Sequence, residues 1–215
     1  MATRPSASAE AFLPERLNLA ALRRAAASCR GCELYRDATQ TVFGEGPRAA
    51  TVVLVGEQPG DREDLQGHPF VGPAGRLLRT ALADAALERK QVYITNAVKH
   101  FKWEPRGKRR IHKKPGEREI AACRPWLQAE LQVIEPQVVV CLGVTAMRAV
   151  FGRPVRLKDH RGSFSQTPLS PCTFVTVHPS SILRLRAAGS GRSDYEVEYR
   201  LFVADLQAVQ RRLHP

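Results

Sequence analysis

Apolar and polar positions follow two rhythms along this chain. Short unbroken apolar runs at 51–55, 92–95, 138–142 and 173–177 have the length and character of strands buried on both faces. Between them, apolar residues recur at helical spacing. Ala74, Leu77, Leu78, Ala81, Leu82 and Ala85 predict a helix over 74–88, and Ile120, Cys123, Leu127 and Leu131 share one face of a helix over 117–133. Further helices are predicted over 17–27, from Gly143 to about 150, and, amphipathic, over 194–213. Strands alternating with helices predict an α/β domain, with a central, mainly parallel sheet of four strands flanked by helices. No repeat or internal boundary interrupts 14–215, which reads as one domain. Residues 1–13 lack the apolar core of a secretory signal and read as a disordered tail, and 187–193 as a small flexible insert.

The segment after the first strand is the richest in chemistry. Residues 56–75 hold five glycines, three prolines and four carboxylates before the next helix begins. Open α/β sheets place their ligands in loops at the carboxyl ends of parallel strands. Glu57 and Gln58 follow the first strand, Asn96 the second and His178 the last. Singly, each fits a turn or a cap; delivered together to one sheet edge, they describe a pocket. The spacing Gly56-x-x-x-Gly60 is not the G-x-G-x-x-G of dinucleotide-binding loops, which argues against a Rossmann enzyme.

Charge narrows the partner. With 33 Lys and Arg against 21 Asp and Glu the net charge is +12, which favours nucleic acid, because neutralising phosphates releases condensed counterions. The segment 97–116 reads as a basic loop carrying Lys108, Arg109, Arg110 and His112. No run of about 18 apolar residues predicts a membrane span. Five cysteines, an odd number, point to a metal or free thiols rather than a disulfide framework, and to a cytoplasmic setting. Cys29-x-x-Cys32 has the ligand spacing of iron-sulfur sites.

The motifs Gly56-Glu-Gln-Pro-Gly60, Pro69-Phe-Val-Gly72, Tyr93-Ile-Thr-Asn96 and His178-Pro-Ser-Ser-Ile-Leu-Arg184 resemble, in order and spacing, those of the iron-sulfur uracil-DNA glycosylases of family four. The resemblance runs from about Cys29 to Arg184. Lys108-Arg-Arg-Ile-His112 resembles the hallmark of the cross-linking branch, family X, whose members excise uracil and then stay covalently bound to the DNA. What this implies is a uracil-DNA glycosylase-like fold and a [4Fe-4S] cluster on Cys29, Cys32, His100 and Cys123. His100 stands where the family's Asn-x-x-Lys-Cys pattern has cysteine, and imidazole can ligate iron. Cys141 is the reserve ligand, although its place in an apolar strand suits a core thiol; Cys172 has no partner at useful spacing, and a Cys₄-type zinc site is the rival metal reading.

The resemblance also implies roles in the pocket. Glu57, His112 and His178 would be catalytic; Gln58, Asp61, Phe70, Asn96 and His178 would bind uracil; Lys108, Arg109, Arg110 and Arg184 would contact DNA. The expected substrate is uracil-containing DNA, single-stranded favoured, met by a monomer in a bacterial cytoplasm, at the nucleoid. Phe70 would stack on the extruded base. Asn96 offers a donor and an acceptor that match uracil O4 and N3–H, and the Gln58 backbone N–H would donate to O2. His178 would donate to O2 as negative charge gathers there. Glu57 would face the developing sugar cation or activate a water. His112 would capture C1′ and leave a stable N-glycoside. Two alternatives remain: a turnover glycosylase in which His112 merely touches DNA, and a non-catalytic single-strand-binding module indifferent to uracil.

Overall fold

The structure, a computed structural model, describes residues 8–187 and 192–214. In chain order its first half holds α1 (Leu19–Ala26), β1 (Val52–Gly56), α2 (Asp61–Gln66), α3 (Pro73–Asp84), β2 (Val92–Asn96), β3 (Trp103–Arg106) and β4 (Arg109–His112). The second half holds α4 (Glu117–Ile134), β5 (Val138–Leu142), α5 (Val144–Phe151), β6 (Phe164–Thr167), β7 (Ser170–Thr176), α6 (Pro179–Ala187) and α7 (Arg192–Leu213). The sheet runs β2-β1-β5-β7-β6: four parallel strands, as the apolar runs predict, plus an antiparallel edge strand, β6, that they do not. β6 reads Phe-Ser-Gln-Thr and alternates exposed with half-buried residues, so it lacks the continuous apolar signal of a central strand.

Successive side chains point to opposite faces of a strand, and here each face has its own core. Val53, Val55, Val139, Cys141 and Val175 pack against α1, α4 and α5. Val52, Leu54, Val140, Leu142 and Phe174 pack against α3, α6 and α7. Pro73 opens α3, where its fixed φ suits the first helical position and its missing N–H is not needed. Parallel pairing sends the carboxyl ends of β1, β2, β5 and β7 to one edge.

Three predicted loops or tails prove structured. Residues 9–12 form a 3₁₀ turn capped by Ser8, with Ala9 buried; a Cβ added to Gly31 would lie 2.6 Å from the Ala9 nitrogen, so a glycine between Cys29 and Cys32 lets this segment close over them. The expected tail is thus corrected from residue 8 onward, while residues 1–7 lie outside the described residues. Within 56–75 sits α2, too short and too charged for apolar periodicity to reveal. The basic loop contains an antiparallel hairpin, β3–β4, turned at Gly107 with φ +59°. Of the insert expected at 187–193, residues 188–191 lie outside the described residues.

Candidate active site

Four strand ends, not three, build the site. Gly56 and Asn96 are register neighbours on β1 and β2. A Cβ at Gly56 would lie 2.4 Å from Asn96 Oδ1 and 2.6 Å from Phe70 Cζ, so only glycine lets that amide and that ring converge. Phe70 has a left-handed backbone, φ 57°, costly for a bulky residue. Arg79 donates to its carbonyl at 3.0 Å, and Gly75 leaves that carbonyl room, since a Cβ there would come within 1.7 Å of it. The Phe70 ring faces His178 at a centroid distance of 6.0 Å and 32° tilt. Asn96 Oδ1 is buried with no hydrogen-bond partner. An orphaned acceptor of this kind costs about 1–3 kcal/mol unless a ligand N–H completes it.

The Ser180 backbone N–H donates to His178 Nδ1 at 3.1 Å, so the ring proton sits on Nε2. Burial pushes the His178 pKa down to about 4, against the opposing pull of the Glu57 carboxylate. The native ring therefore binds fewer protons than the unfolded one between about 4 and 6.5. Its contribution to stability is complete above about 6.5 and lost as pH falls toward 4. At pH 5 the pocket keeps a neutral Nε2–H donor. A pH–rate profile for base release should accordingly show no fall near 6.5 that disappears in His178→Asn.

Glu57, after β1, accepts a hydrogen bond from Thr145 at the start of α5, the contribution of the fourth strand end. His112 on β4 reaches the other oxygen, with Nε2 3.2 Å from Glu57 Oε1. Burial alone would raise the Glu57 pKa, but hydrogen bonds from His112 and Thr145, with His178 nearby, hold it below the usual carboxylate value. Thr145 escaped the sequence reading, although Gly143-x-Thr145 obeys the same strand-end rule that found Asn96 and His178.

The hairpin is a flap held at two points. Gln58 clamps its base: Nε2 donates to the carbonyls of Lys102 and Lys113, both at 3.1 Å, and Oε1 accepts the Lys102 N–H. Arg110 latches its middle, through Nε to Asp61 (2.7 Å), and through Nη1 to the fully buried Asp64 (2.6 Å) and to Thr39. The guanidinium also lies over the rings of Phe101 and Trp103. The side chains of Gln58 and Asp61 are thus engaged with the flap, which leaves the Gln58 backbone N–H expected to face O2 untouched, and Arg110, expected on phosphate, is paired with carboxylates. Lys108 and Arg109 stand exposed at the flap tip, and Arg184 is exposed on α6 with Nη1 3.3 Å from Ser180 Oγ. Arg110 and His112 share one face of β4, so releasing the first frees the second. Arg110→Ala should slow any reaction of His112 about 100-fold, the cost of roughly 1 Å of misplacement, measured as a single-turnover rate.

Behind the pocket lies a thiol cluster. The ionisation of Cys123 is opposed by Cys32 and Cys29, and that of Cys32 by Cys29, so the three thiols lie near enough to influence one another. Burial pushes Cys123 up to about 12, while the neighbouring Lys99 pulls it down. The Trp126 indole donates to Cys29 Sγ (3.2 Å) and the Lys99 N–H to Cys123 Sγ (3.3 Å), the kind of donors that tune cluster sulfurs. His100 Nε2 lies 2.9 Å from Thr41 Oγ1, whose own hydrogen goes to the Ala26 carbonyl. Nε2 is therefore the donor and Nδ1 keeps the lone pair, the tautomer that a histidine ligating through Nδ1 requires. Cys141 is raised by burial alone, as a core thiol is. Among the described residues no three His, Cys, Asp or Glu are grouped to hold a metal ion.

Between thiols and pocket runs a buried ion pair that the sequence did not announce. Lys99 Nζ bonds Glu130, Thr95 Oγ1 (2.6 Å) and the Asn96 carbonyl (2.9 Å), and Tyr93 and Thr95 also donate to Glu130.

The site so far is a doubly wound α/β domain that gathers Glu57, Phe70, Asn96, Thr145 and His178 at its strand ends, beside a basic hairpin. Comparison with known proteins sharpens this. Residues 43–207 match the Uracil DNA glycosylase superfamily. A Type-4 uracil-DNA glycosylase of Thermotoga maritima is 39% identical over 160 residues, 74% of this chain and 80% of the relative. Others so named are those of Sulfurisphaera tokodaii (36%, covering 73% and 71%) and Pyrobaculum aerophilum (31%, covering 86% and 93%). The chain belongs to the uracil DNA glycosylase superfamily.

Proposed function

We propose that this protein excises uracil from DNA, preferring single strands, and that His112 then bonds to C1′ of the abasic sugar. Family membership supports the excision; the Glu57–His112 approach of 3.2 Å at the pocket mouth carries the finer reading.

An extruded uracil would stack on Phe70 and give its N3–H to the orphaned Asn96 Oδ1 while the Asn96 amide donates to O4. Cytosine has no N3–H and is rejected. As the C1′–N1 bond breaks, its electron pair leaves with the base, and His178 Nε2–H stabilises the charge arriving on O2. Glu57, held anionic, faces the sugar cation. The Nε2–H proton of His112 passes to the Glu57 carboxylate that it faces, and the electron pair left on Nε2 forms the new bond to C1′. The product ring is a neutral N-alkyl imidazole, a poor leaving group, so the adduct persists. Lys108, Arg109 and Arg184 would hold neighbouring phosphates. Cys29, Cys32, Cys123 and His100 would bind a [4Fe-4S] cluster whose contribution is structural, pinning the N-terminal segment and α4 to the domain. Protein mixed with a uracil-containing single strand should give a band of reduced mobility on a denaturing gel, absent with thymine in place of uracil. Free abasic DNA without such a band would favour the turnover glycosylase.

A further inference from the structure

We infer that the groove between α3, α6 and α7 is a second nucleotide site, taking the deoxynucleotide next to the extruded one in the same strand; this rests on the base-excision reading. The groove, about 290 Å³, is lined by Arg76 and Thr80 of α3, Leu183 and Arg186 of α6, and Tyr195 and Tyr199 of α7. Two of its helices follow directly from residues of the base site: Pro73, in its lining, is the third residue after Phe70, and α6 begins at the residue after His178. Arg76 and Arg186 thus lie one to two helical turns, roughly 5–10 Å, beyond the two elements that flank the base.

The lining has the composition that sequence-tolerant single-strand sites use: cations for phosphate and aromatic faces for bases. Tyr195 and Tyr199 present parallel rings, 7° apart in plane with centroids 6.3 Å apart. The Tyr199 hydroxyl donates to Asp84 at 2.6 Å, which fixes the orientation of that ring. Arg186 lies 5.9 Å from the Tyr195 ring centroid, so cation and stacking surface stand side by side, as phosphate and base do in a nucleotide. Arg76 and Arg186 are exposed and form no ion pair among the described residues, unlike Arg110 or Arg161. A strand leaving the pocket along this path would meet charge first and stacking surface beside it.

The test measures the single-turnover rate of uracil release, with protein in excess, on single-stranded oligonucleotides with zero to four nucleotides on either side of the uracil, together with anisotropy binding of uracil-free strands of the same lengths. In the wild type, lengthening one flank should raise the second-order single-turnover rate constant about tenfold, as one base–aromatic stack supplies, whereas the other flank should give less. Tyr195→Ala should remove that gain and Tyr195→Phe should keep it, a rescue that a packing role for the hydroxyl would not show. Arg76→Ala with Arg186→Ala should reduce the salt slope of binding by about 2. A flank gain that survives in Tyr195→Ala, with an unchanged salt slope in the arginine variant, would overturn the groove site. Absence of uracil release at every length would count against the glycosylase reading instead, and the uracil-free binding series would then decide the groove.

Discussion

Replacing His112 by alanine should abolish the heat- and detergent-resistant complex with uracil-containing single strands while leaving uracil release intact. The two effects separate because the groups that break the bond are not the one that traps the sugar. His178 stabilises the departing base through Nε2–H, Asn96 and Phe70 position it, and Glu57 remains an anion beside the cation. With His112 gone, Glu57 keeps its bond from Thr145 and gains room for a water in the imidazole's place. Water attack then yields free abasic DNA, and each protein molecule turns over repeatedly. The measurement pairs a denaturing gel with a count of uracil released per protein: near one for the wild type, well above one for the variant. A uracil-dependent band that persists in His112→Ala would assign the bond to another nucleophile. A wild type that releases many uracils per molecule would reject trapping altogether.

The second large effect should come from Lys99→Met. Its ammonium and the Glu130 carboxylate are both almost wholly buried. Removing the cation leaves an unpaired carboxylate in the core, a change that costs about 3–5 kcal/mol, whereas replacing both partners by apolar groups can be nearly neutral. In a domain of this size that corresponds to a fall in Tm of roughly 6–20 °C. Lys99→Met combined with Glu130→Leu should recover part of the loss, limited by the Tyr93 and Thr95 hydroxyls that lose their acceptor. Thermal unfolding of the three proteins at one pH checks this. A single variant as stable as the wild type would show that Glu130 is protonated or reached by solvent. Lys99 also holds the Asn96 carbonyl, so the single variant should discriminate uracil from cytosine less sharply than the wild type at equal temperature.

Much of the sheet was readable because its signals are local. Four continuous apolar runs correspond to β1, β2, β5 and β7 within a few residues, and the residues that follow three of them reach one pocket. The misses share a cause. β6 and the hairpin carry no apolar periodicity, and α2 is a single charged turn and a half closed by Glu63, whose carboxylate accepts the N–H groups of Gly60 and Gly72. Arg110 reads as one more cation in a basic run; only contact with Asp61 and Asp64, 49 and 46 residues away in sequence, turns it into a latch. Likewise Lys99 and Glu130 are 31 residues apart, and Glu57 and Thr145 are 88. No spacing rule links such pairs.

The sequence by itself determined the alternation of strand and helix, the sheet edge where chemistry gathers, and the residue types brought there, because backbone periodicity and strand direction are properties of neighbouring residues. The tertiary structure decided which of those groups are spent on holding the protein together and which remain for a ligand. Asn96 Oδ1 stays unpartnered while Arg110 and Gln58 do not, and His112 meets Glu57 only because a folded flap carries it there. Hydrogen-bond satisfaction is settled by what surrounds an atom in space, and that is fixed only when distant parts of the chain pack together.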